Sequence, residues 1–88
     1  MRVAISEDVI YQPLGDEVVL LNVLNQKYYG LNDIGAEMWR LLAELGDPEA
    51  VTDRLAARYD VDRSRLAADV TRLVGRLAAS GLIETFTE

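Results

Sequence analysis

The sequence contains no cysteine and no histidine among its 88 residues. The absence of cysteine excludes a disulfide, a thiolate nucleophile and a zinc–sulfur site. The absence of histidine removes the commonest general base and the commonest metal ligand. Carboxylate pairs such as Asp60 and Asp62 remain, but they lie at predicted helix ends, where capping accounts for them. Gly30 and Gly35 are isolated and form no phosphate-binding loop, so we expect no enzymatic activity, no cofactor and no metal site.

Long apolar runs are also missing, since none approaches the ~20 residues that a membrane-spanning helix needs. The N-terminus, Met1–Ala4, lacks the apolar segment and cleavage pattern of a signal peptide. We therefore expect a cytoplasmic protein with no membrane partner. Half of the residues are apolar and 27% are charged, which is an ordinary globular composition. We expect residues 1–88 to form a single domain.

Positive charge is scarce, and the net charge of −6 argues against a general affinity for nucleic acid. Residues 62–79 are the exception and carry a net charge of +2. This segment contains four arginines, namely Arg63, Arg65, Arg72 and Arg76. The segment has two interpretations: a solvated helix face with intrahelical ion pairs, or a patch that binds an acidic or carboxylate-bearing partner.

The first third of the chain predicts an antiparallel meander of three strands. Val9–Leu14 is rich in β-branched and aromatic residues, but Pro13 cannot donate a ladder hydrogen bond, so this strand lies at an edge or ends there. Glu17–Leu24 is an apolar run of strand length. Asn25 and Gln26 can turn the chain, because asparagine tolerates positive φ. Lys27–Leu31 then forms the third strand, with Tyr29 and Leu31 on one face and Tyr28 on the other.

Helix signals follow the third strand. Asn32 is placed to cap the first helix and Gly46 to end it. Asp47 starts a second helix, and Asp62 caps a third that runs to about Ser80 and stops at Gly81. The predicted buried stripe of the first helix comprises Ile34, Met38, Leu41, Leu42 and Leu45. The apolar arc of the third helix comprises Leu66, Ala67, Val70, Leu73, Val74, Leu77 and Ala78.

The order of these elements predicts an α+β fold in which a three-stranded antiparallel sheet is followed by three helices. Leu82–Phe86 is either a terminal strand or an extended tail. This arrangement is compatible with a winged helix-turn-helix topology. Its third helix would be the recognition helix of a DNA-binding protein, and Glu84–Glu88 would be the wing.

A small winged-helix DNA-binding transcription factor is therefore one functional hypothesis. The exposed face of the third helix lacks the mixture of side chains that reads bases and grips phosphates, and the wing is acidic. Binding of an extended peptide is the competing hypothesis, because an unpaired edge of Lys27–Leu31 would accept an added strand. An interaction domain for a larger enzyme, with no peptide contact, is a third.

The third helix is predicted to form the opposite wall of such a peptide groove. Leu66, Asp69, Leu73 and Arg76 form a stripe at i, i+3, i+7 and i+10, which offers apolar surface and one charge of each sign. Plain core packing is the alternative for the two leucines, and solvent exposure is the alternative for the two charged residues. For Tyr28, the alternative is an aromatic ring that covers the sheet surface.

The segment Leu24–Asn32, continued by Ile34–Ala36 and Met38–Leu42, resembles the PqqD-like family. More narrowly, it is similar to the stand-alone recognition proteins of lasso-peptide gene clusters. The resemblance implies a RiPP recognition element, where RiPP denotes a ribosomally made, post-translationally modified peptide. Such domains are non-catalytic and winged-helix-like, and they bind a precursor's leader as an extra strand between the third strand and the third helix. In PqqD itself the client enzyme is a radical SAM protein.

The resemblance also suggests which positions bind the leader and which proteins take part. The strand wall falls on Gln26, Lys27, Tyr28, Tyr29 and Gly30, and the helix wall falls on the stretch Leu66–Arg76. The expected partners are the leader of a precursor peptide, a separate leader peptidase and a cyclase that acts afterwards. No nucleic-acid partner is expected. The chain stops after Glu88 without a fused peptidase, which fits the discrete form of the element.

Overall fold

Five strands and three helices are formed by residues 1–87, the part of the chain that the computed structural model describes. In chain order they are β1 (Arg2–Ile5), β2 (Val9–Leu14), β3 (Glu17–Asn22), β4 (Lys27–Leu31), α1 (Asp33–Leu45), α2 (Pro48–Arg58), α3 (Arg63–Ala79) and β5 (Ile83–Phe86). The expected α+β order, with a three-stranded antiparallel sheet followed by three helices, is confirmed. No helix in this described part is long and apolar enough to cross a membrane.

The predicted meander is the sheet β2-β3-β4. Its register places Leu21 between Ile10 and Tyr28 on one face, and Leu20 between Tyr11 and Tyr29 on the other. Because side chains alternate along each strand, the second face packs against the helices while the first face is turned away from them.

The turn between β3 and β4 differs in detail from the prediction. β3 ends at Asn22 rather than Leu24, and the residue with positive φ is Gln26, at 59°, rather than Asn25. The Asn25 side chain instead accepts a hydrogen bond from the backbone N–H of Lys27 at 3.0 Å. Asn25 therefore stabilises the turn through its side chain and not through a left-handed backbone.

Asn22 links this turn to the end of α3. Its side chain is buried, its Nδ2 donates to the carbonyl oxygen of Ser80 at 3.0 Å, and its Oδ1 accepts from the N–H of Leu24 at 3.0 Å. Both ends of a buried amide are thus satisfied, as burial of a polar group requires. The contact fixes the β3–β4 hairpin to the C-terminal end of α3.

The segment Leu82–Phe86 contains a strand, which is one of the two alternatives predicted for it, but the partner of this strand was not predicted. β5 pairs antiparallel with β1, with Arg2 opposite Phe86 and Ile5 opposite Ile83. The expected wing is therefore replaced by a strand that pairs with the N-terminus; the last residue of that wing, Glu88, lies outside the described residues.

The predicted helix caps are confirmed. The Asn32 side chain accepts from the N–H of Gly35 at 2.9 Å at the start of α1, and Asp47 and Asp62 make equivalent bonds at the starts of α2 and α3. Gly46 ends α1 with φ of 67°, and its N–H donates to the carbonyl of Leu42 at 2.9 Å. These local signals set the helix boundaries because each satisfies backbone groups that the helix ends leave unpaired.

The hydrophobic core lies between the sheet and the three helices. Trp39 is fully buried, and its ring meets that of Tyr11 edge to face at a centroid distance of 5.5 Å. Ile34, predicted to be buried, is 41% exposed, so that prediction is wrong. The buried face of α1 is rotated toward Trp39 and Ala36, and Ile34 lies at its border. The apolar arc predicted for α3 does face the core.

Two glycine substitutions are expected to change stability in opposite directions. Alanine at Gly46 would place a Cβ 3.2 Å from the carbonyl oxygen of Val3 in a left-handed backbone, and should destabilise the fold by about 1–2 kcal/mol. Alanine at Gly75, inside α3, meets nothing within 4 Å and should stabilise the fold by about 0.5–1 kcal/mol. Urea denaturation followed by circular dichroism measures both; equal stabilities of the two variants would contradict this account.

Candidate functional site

The outer edge of β4 is open. β4 pairs with β3 on one side, and no strand within residues 1–87 pairs with its other side. In an antiparallel edge strand every second residue directs its N–H and C=O away from the sheet, where they can pair with another chain. The prediction of an edge strand at Lys27–Leu31 is confirmed.

The side chains of β4 alternate as predicted. Leu31 is buried and Tyr29 is half-buried against the helices, whereas Tyr28 is 72% exposed on the face turned away from them. Gly30 also lies on that outward face, and a Cβ added there would meet nothing within 4 Å. A strand that paired with β4 would therefore have its own side chains directed alternately toward the helices and toward Tyr28.

A cleft of about 290 Å³ adjoins the end of this strand. It lies between the first turns of α1 and one flank of α3, and Asn32, on its wall, directly follows the last residue of β4. Its lining combines apolar and charged side chains from the two helices: Asn32, Ile34, Gly35, Met38, Asp69, Arg72, Leu73 and Arg76. The cleft thus continues from the open edge toward α3.

Gly35 allows α1 to start close to β4. A Cβ at this position would lie 3.3 Å from the Asn32 side-chain oxygen and 3.4 Å from the Leu31 side chain. Since Asn32 caps α1 and Leu31 ends β4, a larger residue would push the helix start and the strand end apart. The small residue therefore allows the close approach of α1 and β4 on this wall of the cleft.

The charges on the α3 wall are partly neutralised within the protein. Arg72 Nη1 donates to Asp69 Oδ1 at 3.0 Å, a contact between residues one helical turn apart. Arg76 is exposed and has no ion-pair partner in the described part of the chain. The cleft therefore presents one paired and one unpaired guanidinium beside the apolar side chain of Leu73.

Elsewhere on α3, Arg63 is also engaged. It donates to Asp53 on α2 at 2.6 and 3.0 Å, and this hydrogen bonding, together with the carboxylate charge, raises the pKa of Arg63 from its ordinary value. Two of the four arginines in the basic segment thus form ion pairs. The intrahelical pair agrees with the first interpretation of that segment, whereas the second, a patch that binds an acidic partner, stays a prediction in which Arg76 faces a cleft.

The structure separates the predicted site residues into three groups. Asp69, Leu73 and Arg76 lie together on the cleft wall. Leu66 belongs to the same predicted stripe but lies outside the cleft; it is buried in the core, as Leu73 also is, so the alternative of core packing holds for both leucines. The five strand residues Gln26, Lys27, Tyr28, Tyr29 and Gly30 lie at or beside the β4 edge, with Tyr28 on the opposite face of the sheet from the cleft.

Sequence reasoning missed four residues that line the cleft, Asn32, Ile34, Gly35 and Met38, and included Arg72 only as part of the stretch Leu66–Arg76. Ile34 and Met38 are four residues apart and share a helix face, a spacing that was interpreted as core. Arg72 lies three residues after Asp69, a spacing that favours an ion pair. No sequence signal showed that the first turn of α1 would form the base of the cleft, because this depends on how α1 and α3 pack.

Other parts of the surface offer less to a ligand of β4. A larger cleft of about 470 Å³ lies on another flank of α3, and its lining contains neither a residue of β4 nor Asn32, which directly follows β4. Within residues 1–87, no three acidic side chains are arranged to hold a metal ion. The open edge and the cleft beside it are therefore the candidate site.

The sequence profile of coenzyme PQQ synthesis protein D (PqqD) matches residues 17–83. The chain belongs to the PqqD family. The matched range begins at the first residue of β3 and ends at the first residue of β5. In this PqqD-family chain, the open edge of β4 and the cleft against α3 both lie inside the part that defines the family.

Two solved structures share the fold of this PqqD-family chain. The first is TbiB1 in complex with the TbiA(beta) leader peptide, which is 35% identical, with a TM-score of 0.89 over 97% of this chain and 99% of that one. The second is a lasso peptide synthetase B1 complexed with the leader peptide, at 24% identity and a TM-score of 0.86 over 97% and 100% of the two chains. No curated protein matches the sequence significantly. The predicted resemblance to PqqD-like RiPP recognition elements is confirmed.

Proposed function

We propose that this chain is a non-catalytic adaptor that binds the leader segment of a ribosomal precursor peptide by strand addition at β4. It presents the leader to a separate leader peptidase, or to another modifying enzyme, in lasso-peptide biosynthesis. The observation that carries the proposal is the unpaired outer edge of β4, which continues into a cleft against α3. A 35% identical protein of the same fold, solved with a leader peptide, supports it.

Strand addition divides recognition into two parts. Backbone hydrogen bonds to β4 supply affinity that depends little on sequence, and side chains supply selectivity. Alternate leader residues point into the cleft, where Leu73, Met38 and Ile34 offer apolar contacts and Arg76 offers a free charge. The remaining residues lie beside Tyr28 on the outer face. The preferred leader segment therefore carries apolar residues at alternate positions and a carboxylate that reaches Arg76.

The adaptor acts by bringing substrate and enzyme together rather than by chemistry of its own. Binding orders the leader and raises its effective concentration beside the enzyme that modifies the precursor. The cyclase then acts on the product of the peptidase. A cytoplasmic location fits this role, because the precursor is made on ribosomes. A single-domain adaptor, formed by residues 1–88, needs no cofactor for this work.

The comparisons do not favour the alternative of a DNA-binding transcription factor. Arg63 and Arg72 on the helix that would read bases are engaged by Asp53 and Asp69. β5, which stands where a wing was expected, is paired with β1 and carries Glu84. Neither feature suits a surface that must release counterions from phosphates.

The proposal is tested by titrating the chain with a synthetic leader peptide of the precursor from the same gene cluster, and in parallel with duplex DNA. Micromolar to nanomolar binding, about −8 to −12 kcal/mol, is expected for the leader. Retention of duplex DNA at physiological salt, with no binding of the leader, would overturn the proposal.

Reversing the charge of Arg76 should weaken leader binding at least about tenfold, since a hydrogen bond to a charged group contributes about 1.5–3 kcal/mol. Arg76→Glu is compared with Arg54→Glu, a reversal on an exposed residue of α2 outside the cleft. Isothermal titration calorimetry measures both affinities, and circular dichroism checks that both variants fold. Equal affinities of Arg76→Glu and Arg54→Glu would remove the cleft from the binding site.

A further inference from the structure

The face of the sheet turned away from the helices is apolar and exposed. The register aligns Ile10, Leu21 and Tyr28 in a row across all three strands. Ile10 is 61% exposed, Leu14 is 55% exposed and Tyr28 is 72% exposed. With Gln12 and Val19, these side chains line a shallow depression of about 270 Å³. We call this surface the outer sheet face: Ile10, Gln12, Leu14, Val19, Leu21 and Tyr28.

Leader binding does not account for this surface. A strand added to β4 would approach Tyr28, but Ile10 and Leu14 lie on β2, at the opposite edge of the sheet. Neighbouring strands are about 4.8 Å apart, so these two residues lie roughly 10 Å from β4. No helix or strand of residues 1–87 covers them. A contiguous exposed apolar patch on so small a domain is typical of a protein–protein interface.

The charges around the outer sheet face indicate what kind of partner it fits. Residues 3–26 contain no lysine or arginine and four carboxylates. Two of these, Asp16 and Glu17, lie at the β2–β3 turn, where Glu17 is the register partner of Leu14. A complementary surface therefore has an apolar centre and flanking lysines or arginines. A symmetric second copy would bring like charges together, which disfavours it.

We infer that the outer sheet face docks the enzyme that receives the leader, through an apolar surface with a basic rim. This inference rests on the proposed function. A leader strand bound at β4 would extend the same face by a fourth strand, because its outward side chains fall in line with Tyr28, Leu21 and Ile10. The enzyme then contacts the domain and the leader together. Leader and enzyme therefore increase each other's affinity for the adaptor by the same factor.

The experiment compares Ile10→Asp and Leu14→Asp with Ser64→Asp. Ser64 is exposed at the start of α3, outside the cleft and the outer sheet face, and there an added carboxylate is favourable for the helix. The probes are the synthetic leader and the purified leader peptidase from the same gene cluster, whose binding is measured by calorimetry with and without saturating leader.

Ile10→Asp and Leu14→Asp should keep leader affinity within twofold of the wild type and lose at least tenfold in peptidase affinity. Ser64→Asp should change neither. Wild-type affinity for the peptidase should rise with leader present and fall when sodium chloride is raised from about 50 to 500 mM, because exposed charges are then screened. Circular dichroism establishes that each variant folds. Glu17→Lys reverses a rim charge without removing apolar surface, and it should also weaken peptidase binding.

The outcomes separate the two proposals. No leader binding by the wild type would overturn the proposed function. If Ile10→Asp binds the leader normally and its peptidase affinity is unchanged, the inferred docking surface alone is contradicted. If the aspartate variants do not fold, the same result for Glu17→Lys contradicts it. Self-association of the wild type that Ile10→Asp abolishes would assign the face to a second copy and also overturn the inference.

Discussion

Methylation of the backbone nitrogen at every second residue of the leader will reduce its affinity at least 100-fold, whereas methylation of the intervening residues will leave affinity within about threefold. The open edge of β4 can pair only with those leader residues whose N–H and C=O point toward it, and these alternate along an extended chain. Each amide that is blocked loses a hydrogen bond and leaves a group of β4 unpaired, at about 1–3 kcal/mol. Three such losses, even at about 1 kcal/mol each, exceed the 2.7 kcal/mol or so that corresponds to 100-fold.

Two peptide series, methylated in opposite registers, are each other's control, because they share length, composition and number of methyl groups. Fluorescence anisotropy with a labelled leader measures both. The effect of methylation should alternate from one leader residue to the next whether the leader runs parallel or antiparallel to β4. Uniform weakening across all positions would contradict strand addition and indicate a peptide that binds through side chains alone.

Replacing Trp39 by alanine will destabilise the protein by about 3–5 kcal/mol, the cost typical of removing a large aromatic ring from a core. Trp39 is fully buried on α1 and its ring contacts that of Tyr11 on β2, so it joins the helices to the sheet that carries the open edge. Small domains have total stabilities near the lower end of about 5–15 kcal/mol. Trp39→Ala should therefore be substantially unfolded at 37 °C.

Trp39→Phe is the matched variant. The indole nitrogen of Trp39 has no hydrogen-bond partner in the described residues, so phenylalanine removes a buried unpaired donor while it keeps most of the aromatic surface. Its loss of stability should be less than half that of Trp39→Ala. Urea denaturation is followed by far-ultraviolet circular dichroism, since Trp39 is the one tryptophan of the sequence. Equal losses in the two variants would show that ring volume does not determine stability here.

Helix boundaries were predictable because their causes are local. Asn32, Asp47 and Asp62 cap the helices with their own side chains, and Gly46 ends α1 through its own backbone. Each of these signals acts within four residues, so a single sequence contains it.

The remaining features depend on contacts between distant parts of the chain. β1 has four residues, of which only Val3 is buried, and it is a strand because β5 pairs with it from the other end of the sequence. The burial of Trp39 and the exposure of Ile34 depend on the angle at which α1 meets the sheet. Helical spacing placed Leu66 with Asp69 and Leu73 but could not say that, of the two buried leucines, Leu73 alone lines the cleft.

The Asn22 amide, which bridges the β3–β4 hairpin and the last residues of α3, has a thermodynamic consequence for recognition. It holds the hairpin that carries the open edge of β4 to the C-terminal end of α3 in the free protein. Little freedom is then left for the receptor to lose when the peptide arrives, and a preorganised receptor avoids that part of the cost of association. The entropic cost of complex formation therefore falls mainly on the leader, whose flexibility in solution governs how tightly it is held.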